Sequence, residues 1–449
     1  MSAREAGAAS GRGNGGTAPP SLIRAIGTVG LAAGIVNVTI GGGIFRLPAV
    51  VAGVLGAQAP LAFLVCAAVM GLIVAAFAEA GKRVDRTGGP YAYVEVAFGP
   101  FAGFLAGVLV WLLGTTAVAA VSTVLADSIG AIVPALSGAA GRAAVLVAVF
   151  AVLVTVNVIG VGFGTRFNAV ATAAKLLPLG LLIVAGAFAI EPAHLAWDEP
   201  MAPGSLARAS MLLIFAFCGV ESALVPSGEI RDVARTVPRA VALAMVVVTA
   251  YLAIQIVAQG ILGAGLARET APLAAAAGSA LGPWGGRLLL VGAAVSMFGY
   301  VSGMTLAVPR AVFAFARDGF LPASLGSVHP RFFTPHLAIV AQSALVVALG
   351  ITSGFEALAV VANLATLLLY AGCSLAAWRL AARDGAAAGR PAAVIALCAC
   401  CAIAWLLTSI TWPEWRVAFL VLAAATLIYA AVRGSGRRPA PLGAPKTGS

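Results

Sequence analysis

Residues 39–48 read Thr39-Ile40-Gly41-Gly42-Gly43-Ile44-Phe45-Arg46-Leu47-Pro48, three consecutive glycines inside an apolar run over residues 25–53. A second run, over residues 205–230, is interrupted in the same way by Phe215-Ala216-Phe217-Cys218-Gly219-Val220-Glu221-Ser222, with Pro226 and Gly228 beyond. Each run is long enough to cross a bilayer, which takes about 20 apolar residues. Each also carries at its centre the residues a membrane helix has most reason to avoid, since lipid cannot satisfy backbone groups that a break sets free. Two such segments in one chain decide how the rest is read.

Working outward, hydrophobic residues fill 61% of 449 positions and charged ones 10%, and the mean hydropathy is +1.04. A soluble domain carries about 25% charge. Folded in water, this chain would leave large apolar surfaces uncovered. Its 53 glycines and 24 prolines sit in or between apolar runs, as they do in transmembrane helices. The six cysteines (Cys66, Cys218, Cys373, Cys398, Cys400 and Cys401) all lie in apolar segments, against a disulfide framework. Neither they nor His194, His329 and His336 have the polar company of a metal site, so no metal and no cofactor is expected.

On the length of a bilayer-crossing helix the chain divides into about twelve spans. They fall near residues 25–53, 60–80, 101–132, 142–161, 167–189, 205–230, 238–262, 283–315, 336–352, 358–379, 391–411 and 415–432. The fold class is thus an all-α integral membrane protein. Residues 1–21 read as a disordered tail without the apolar core of a signal peptide, and residues 433–449 as a second tail. With the N-terminus inside, twenty of the 27 basic residues fall on the inner side. Five fall outside (Arg142, Arg208, Arg268, Arg287 and Arg416), while Arg46 and Lys175 lie within the membrane. That asymmetry predicts both termini in the cytoplasm of a cell-membrane protein. It also accounts for the net charge of +11 without nucleic acid.

Spans 1–5 (residues 25–190) and 6–10 (residues 205–380) form two halves with the interrupted spans in equivalent places, followed by helices 11 and 12 over residues 391–432. An odd number of spans per half makes this 5+5 repeat inverted. Interrupted helices at corresponding positions are the sequence pointer to the binding site of a carrier. Free N–H groups at a half-helix N-terminus suit a carboxylate, and free C=O groups at the opposing end suit an ammonium. The pair therefore makes a receptor for a zwitterion. The plainer alternative is that Gly41–Gly43 only lets helices pack closely.

The same residues resemble the amino acid–polyamine–organocation superfamily, in particular its bacterial amino acid permeases. Gly41-Gly42-Gly43-Ile44-Phe45 is similar to the family's first-helix Gly-Ser/Ala-Gly-Ile-Phe signature. Gly88-Gly89-Pro90-Tyr91-Ala92-Tyr93 with Phe98-Gly99-Pro100 resembles its loop after the second helix. Phe217-Cys218-Gly219-Val220-Glu221-Ser222, Gly228-Glu229 and Arg235-Thr236-Val237-Pro238-Arg239 resemble its sixth helix and the loop beyond. Pro309-Arg310, Ala316-Arg317-Asp318-Gly319, Leu321-Pro322 and His329-Pro330-Arg331 resemble its eighth-helix exit. The likeness runs over residues 22–432. It implies a secondary transporter in which a substrate carboxylate meets the backbone of Gly41, Gly42 and Gly43. The amino group would meet carbonyls of Thr39, Ile40, Phe217 and Cys218, with Ala216 and Gly219 completing the second break. Phe215 stands where relatives carry an aromatic gate, and Glu221 where they carry a glutamate linked to gating. Gly42 departs from the family's commoner serine. Met304 stands where some arginine-carrying relatives place a tryptophan.

An ionisable side chain at membrane depth costs about 2.5–3.5 kcal/mol and is functional by default. Lys175, in Ala173-Ala174-Lys175-Leu176-Leu177-Pro178, is such a group. By resemblance to proton-driven, sodium-independent relatives it is expected to couple transport to protons; otherwise it ties helices 1, 5 and 8 together without titrating. Glu221 reads either as a gate or as a cap for the half-helix after the break. Arg46 reads as a solvated charge in the outer vestibule or as a partner of an acid across the pathway, such as Glu221. Asp127, Glu95 and Glu356 read as solvated or pairing residues near span ends, and Trp111, Tyr300 and Asn363 either as lining the pathway or as ordinary packing.

Other function classes lack their residues. No paired acids or His/Asp set points to an enzyme. Lys82, Lys175 and Lys446 are the only lysines, and none sits in a phosphate-binding Gly-x-x-x-x-Gly-Lys-Ser/Thr loop. A channel's ring of charges or carbonyl filter has no repeated motif here. An exchanger uncoupled from protons and a transport-dead sensor on the same fold remain alternatives. Some eukaryotic members of the family bind a heavy chain through a cysteine after the third helix. The loop Val133–Gly141 has none, so no disulfide-linked heavy chain is expected. The expected partners are an amino acid with a neutral side chain, protons and lipid, and no nucleic acid.

Overall fold

The computed structural model describes residues 39–84, 90–160, 165–197, 200–219 and 246–434, together with Thr28, Thr236 and Arg239. These residues form α-helices joined by short 3-10 turns, and no strand occurs among them. The first helix, α1, covers Gly43–Leu55, and α2 covers Ala59–Gly81. A nine-residue helix α3, Pro90–Phe98, occupies what the sequence suggests is loop. Next come α4 (Pro100–Ile132), α5 (Gly138–Ile159), α6 (Thr165–Gly186) and α7 (Ser205–Phe217). The chain continues through α8 (Val246–Leu262), a short α9 (Pro272–Leu281) and α10 (Pro283–Ala307). Pro309, which lacks the amide hydrogen a continuing helix would use, opens a separate α11 (Pro309–Arg317). The last four helices are α12 (His336–Thr352), α13 (Phe355–Arg383), α14 (Ala386–Leu407) and α15 (Trp412–Gly434).

Among the described residues, eight helical stretches are long and apolar enough to cross a membrane, and four shorter apolar helices accompany them. Every span expected from the apolar runs has a helix in its place, wholly or in part. Glu221 and the remainder of the sixth run lie outside the described residues, as do most of residues 25–38 and both tails.

Helices α4 and α13 form the centre. They pack against one another, and α2, α7 and α10 surround them. The side chains turned outward are apolar too: Leu177, Phe188, Leu420 and Leu427 are each largely exposed. Outward-facing leucine and phenylalanine of this kind are matched by lipid, not water. Charge gathers at the two ends. At one, Arg83 after α2 bonds Asp384 after α13 at 2.6 Å. At the other, Arg142 bonds Asp127 at 2.7 Å and Arg208 bonds Glu414 at 2.9 Å, with Glu356 3.8 Å from Arg208. Asp127 and Glu356 thus pair as expected. Glu95 is buried, lying against Gly103 so closely that a Cβ there would come within 2.6 Å of it, so of its two readings solvation is the one the structure removes.

Candidate functional site

Both runs depart from helical backbone at the expected glycines among the described residues. In the first run the backbone bends over residues 40–42, and a helix begins only at Gly43. Within the bend the Gly41 N–H donates to the Thr39 carbonyl at 2.7 Å, a three-residue turn in place of helical bonding. Gly42 itself has φ −67 and ψ −22, which any residue can adopt. What it lacks is room: a Cβ on Gly42 would lie 2.8 Å from Val121 Cγ1, and one on Gly43 would lie 3.0 Å from Phe215 Cδ1. In the second run α7 ends at Phe217, Cys218 turns extended with ψ 149, and Gly219 follows at φ 119. That positive φ favours glycine on backbone grounds.

The two breaks meet at one cavity of about 80 Å3. Seven of the ten residues expected at a substrate site line it: Thr39, Gly41, Gly42, Gly43, Phe215, Cys218 and Gly219. Ile40, Ala216 and Phe217 instead pack in the core beside it, Phe217 edge-on to Tyr251 at 5.5 Å. Continuous helices supply the remaining wall, with Leu113, Ala117 and Val121 from α4, Tyr300 and Met304 from α10, and Ala362, Asn363 and Thr366 from α13. Tyr300 and Asn363, which read either as pathway-lining or as packing, line the cavity. Trp111 does not; its Nε1 donates to Gln342 at 2.9 Å, and Gln342 donates onward to Thr115 at 2.8 Å.

The carbonyls at the breaks differ in availability. Thr39 O already accepts from Gly41 N and, at 2.9 Å, from the Tyr251 hydroxyl. Those two bonds use both its lone pairs. Tyr251 is fully buried in α8 and had no signal in the sequence beyond being a tyrosine in an apolar run. At the second break the Cys218 thiol contacts Thr366 and Tyr370, both at 3.9 Å, tying the break to α13.

Phe215 closes one side. Its ring meets Phe355 edge-on, with centroids 5.4 Å apart at 84°. Phe355 precedes Ala362 by seven residues on α13, about 10 Å along the axis towards the end that bears Glu356. The aromatic pair thus stands between the cavity and that end. Arg46 lies on the same side and is half-buried, and no acid bonds it among the described residues, which do not include Glu221. Its Nη1 donates to the Glu269 backbone carbonyl at 2.7 Å. Lys175 is buried, 7% exposed, on α6, which packs against α8, α9 and α10. It is not among the residues lining the cavity.

A helical membrane bundle in which two runs depart from helix at one small cavity has the architecture of a solute transporter. The chain belongs to the amino acid permease family, whose model matches residues 26–440. An uncharacterized transporter of Mycobacterium tuberculosis is 33% identical over 364 residues, 80% of each chain. The serine/threonine exchanger SteT of Bacillus subtilis is 31% identical over 329 residues, 69% of this chain and 73% of that one. The branched-chain amino acid permease BcaP of the same organism is 26% identical over 374 residues, 79% and 80% of the two chains. Amino acid transport is therefore the activity of the family to which this chain belongs.

Proposed function

We propose that this protein is a secondary active transporter that carries a small amino acid with a neutral side chain across the cell membrane by alternating access, linked to protons and independent of sodium. The observation that carries the reading is the shared cavity at the two breaks. On this reading the N–H groups opening α1 at Gly43 take the carboxylate, and the carbonyls ending α7 take the ammonium. Cavity size supports a small cargo. A cavity of about 80 Å3 is small beside the usual ligand pocket of about 300–1,000 Å3, in keeping with a small cargo. The apolar neighbours Leu113, Ala117 and Met304 favour a neutral side chain. Phe215, with Phe355 behind it, is the gate on one side, and Glu221 takes part in gating on the sixth run. The excess of basic residues on one side supports cytoplasmic termini.

Lys175 is the proposed coupling group. It is the one lysine expected within the membrane, and burial away from water makes its charged form costly, so that proton release can accompany a change of conformation. The decisive measurement is substrate-dependent proton flux in proteoliposomes for wild type and Lys175→Ala, over a panel of amino acids and amines. The expected result is proton movement with small neutral amino acids, lost in the variant. Cargo movement without protons, unchanged in Lys175→Ala, would favour the second reading, an uncoupled exchanger, to which the similarity to a serine/threonine exchanger lends weight. Binding without any flux would identify a sensor.

A further inference from the structure

We infer that Asn363 reads the side chain of the cargo, its Oδ1 accepting a hydrogen bond from a hydroxyl, so that the cavity favours small hydroxylated amino acids over apolar ones of equal size. This rests on the amino acid reading above. Asn363 lies on the continuous helix α13, lines the cavity and is 0% exposed. Its Nδ2 donates to two backbone carbonyls of α7, Met211 O at 2.9 Å and Leu212 O at 3.2 Å. These bonds fix the orientation of the amide, because turning it over would set Oδ1 against two carbonyl oxygens, which accept and cannot donate.

The remaining atom, Oδ1, has no hydrogen-bond partner among the described residues. A buried acceptor left unmatched is disfavoured, and most such atoms in folded proteins find a partner. Of the polar residues in the wall, Tyr300, Cys218 and Thr366 make no bond to it. Leu113, Ala117, Val121 and Met304 are apolar, and the Thr366 hydroxyl is committed to Ala362 O at 2.8 Å. Thr39 Oγ1, on the broken first helix, is a second buried polar atom without a partner among the described residues, and it too lines the cavity. A cargo hydroxyl, which donates and accepts at once, matches such a wall. The charged ammonium is met elsewhere, by the carbonyls at the end of α7.

The test compares binding of L-serine and L-2-aminobutyrate, which differ by a hydroxyl in place of a methyl, to the purified full-length protein by ligand-induced thermal stabilisation. Wild type should bind serine about five- to hundredfold more tightly, the cost of leaving a buried acceptor unmatched. Asn363→Ala should erase the difference by weakening serine alone. Equal binding of the two by wild type overturns the inference and leaves the amino acid reading intact. So does equal weakening of both in Asn363→Ala, which would assign Oδ1 to the ammonium or to helix packing. If the variant fails to fold, the wild-type comparison decides. If wild type binds no amino acid of a full panel, both readings fall together.

Discussion

The two breaks look alike in sequence, a glycine among apolar residues, yet they need glycine for different reasons. At the first, Gly42 has an ordinary helical φ, and the constraint is outside it, in the methyl of Val121 that a Cβ would strike. At the second, the constraint lies in the backbone of Gly219 itself, at φ 119. One break is kept by its neighbours and the other by its own torsion. The distinction also accounts for the departure from the serine commoner at position 42, because Val121 stands in the place a serine side chain would enter.

This comparison can be broken by substitution. Gly219→Ala should have the largest effect. A side chain forced to a positive φ costs about 1–3 kcal/mol, which should lower the thermal midpoint and reduce transport in proteoliposomes by about tenfold or more. Trimming Val121 should bring no recovery. Gly42→Ala should come next, with an overpacking cost of about 1–3 kcal/mol, but Val121→Ala in the same chain should restore most of the loss. A double-mutant cycle measures that coupling. Additive effects at 42 and 121 would refute the steric account, and rescue of Gly219→Ala by Val121→Ala would erase the distinction between the breaks. The smallest effect should come from Tyr251→Phe. It removes one hydrogen bond to Thr39 O, worth about 0.5–1.5 kcal/mol, and should lower the thermal midpoint slightly. An unchanged midpoint would mean that the first break holds its shape through Gly41 N–H alone.

Much of this was legible beforehand, and the reasons are physical. Span length follows from bilayer thickness, so helices such as Pro100–Ile132 and Trp412–Gly434 stand where the apolar runs put them. The breaks were legible because glycine clusters are costly in lipid. The short helices α3 and α9 were not, since neither is long enough to leave an apolar signature of its own. Asn363 reads either way, as lining or as packing, because one asparagine in an apolar helix carries no direction. Which of its atoms is satisfied depends on α7, about 150 residues away in the chain. Tyr251 and Phe355 were missed for the same reason, as each acts through a partner distant in sequence. Arg46 has a backbone carbonyl, that of Glu269, among its partners, one that no residue pattern advertises, while Glu221 lies outside the described residues.

The cavity wall has one more implication. Its two broken helices present mainly backbone, which no substitution short of proline removes, whereas α4, α10 and α13 present side chains that single substitutions replace. On the proposed reading, holding and discriminating fall to separate parts of the chain. Descendants of such a protein can change diet by altering Val121, Met304 or Asn363 while keeping the grip that every amino acid shares. Diversification of cargo is then a short walk in sequence, and the fold need not be reinvented for each nutrient.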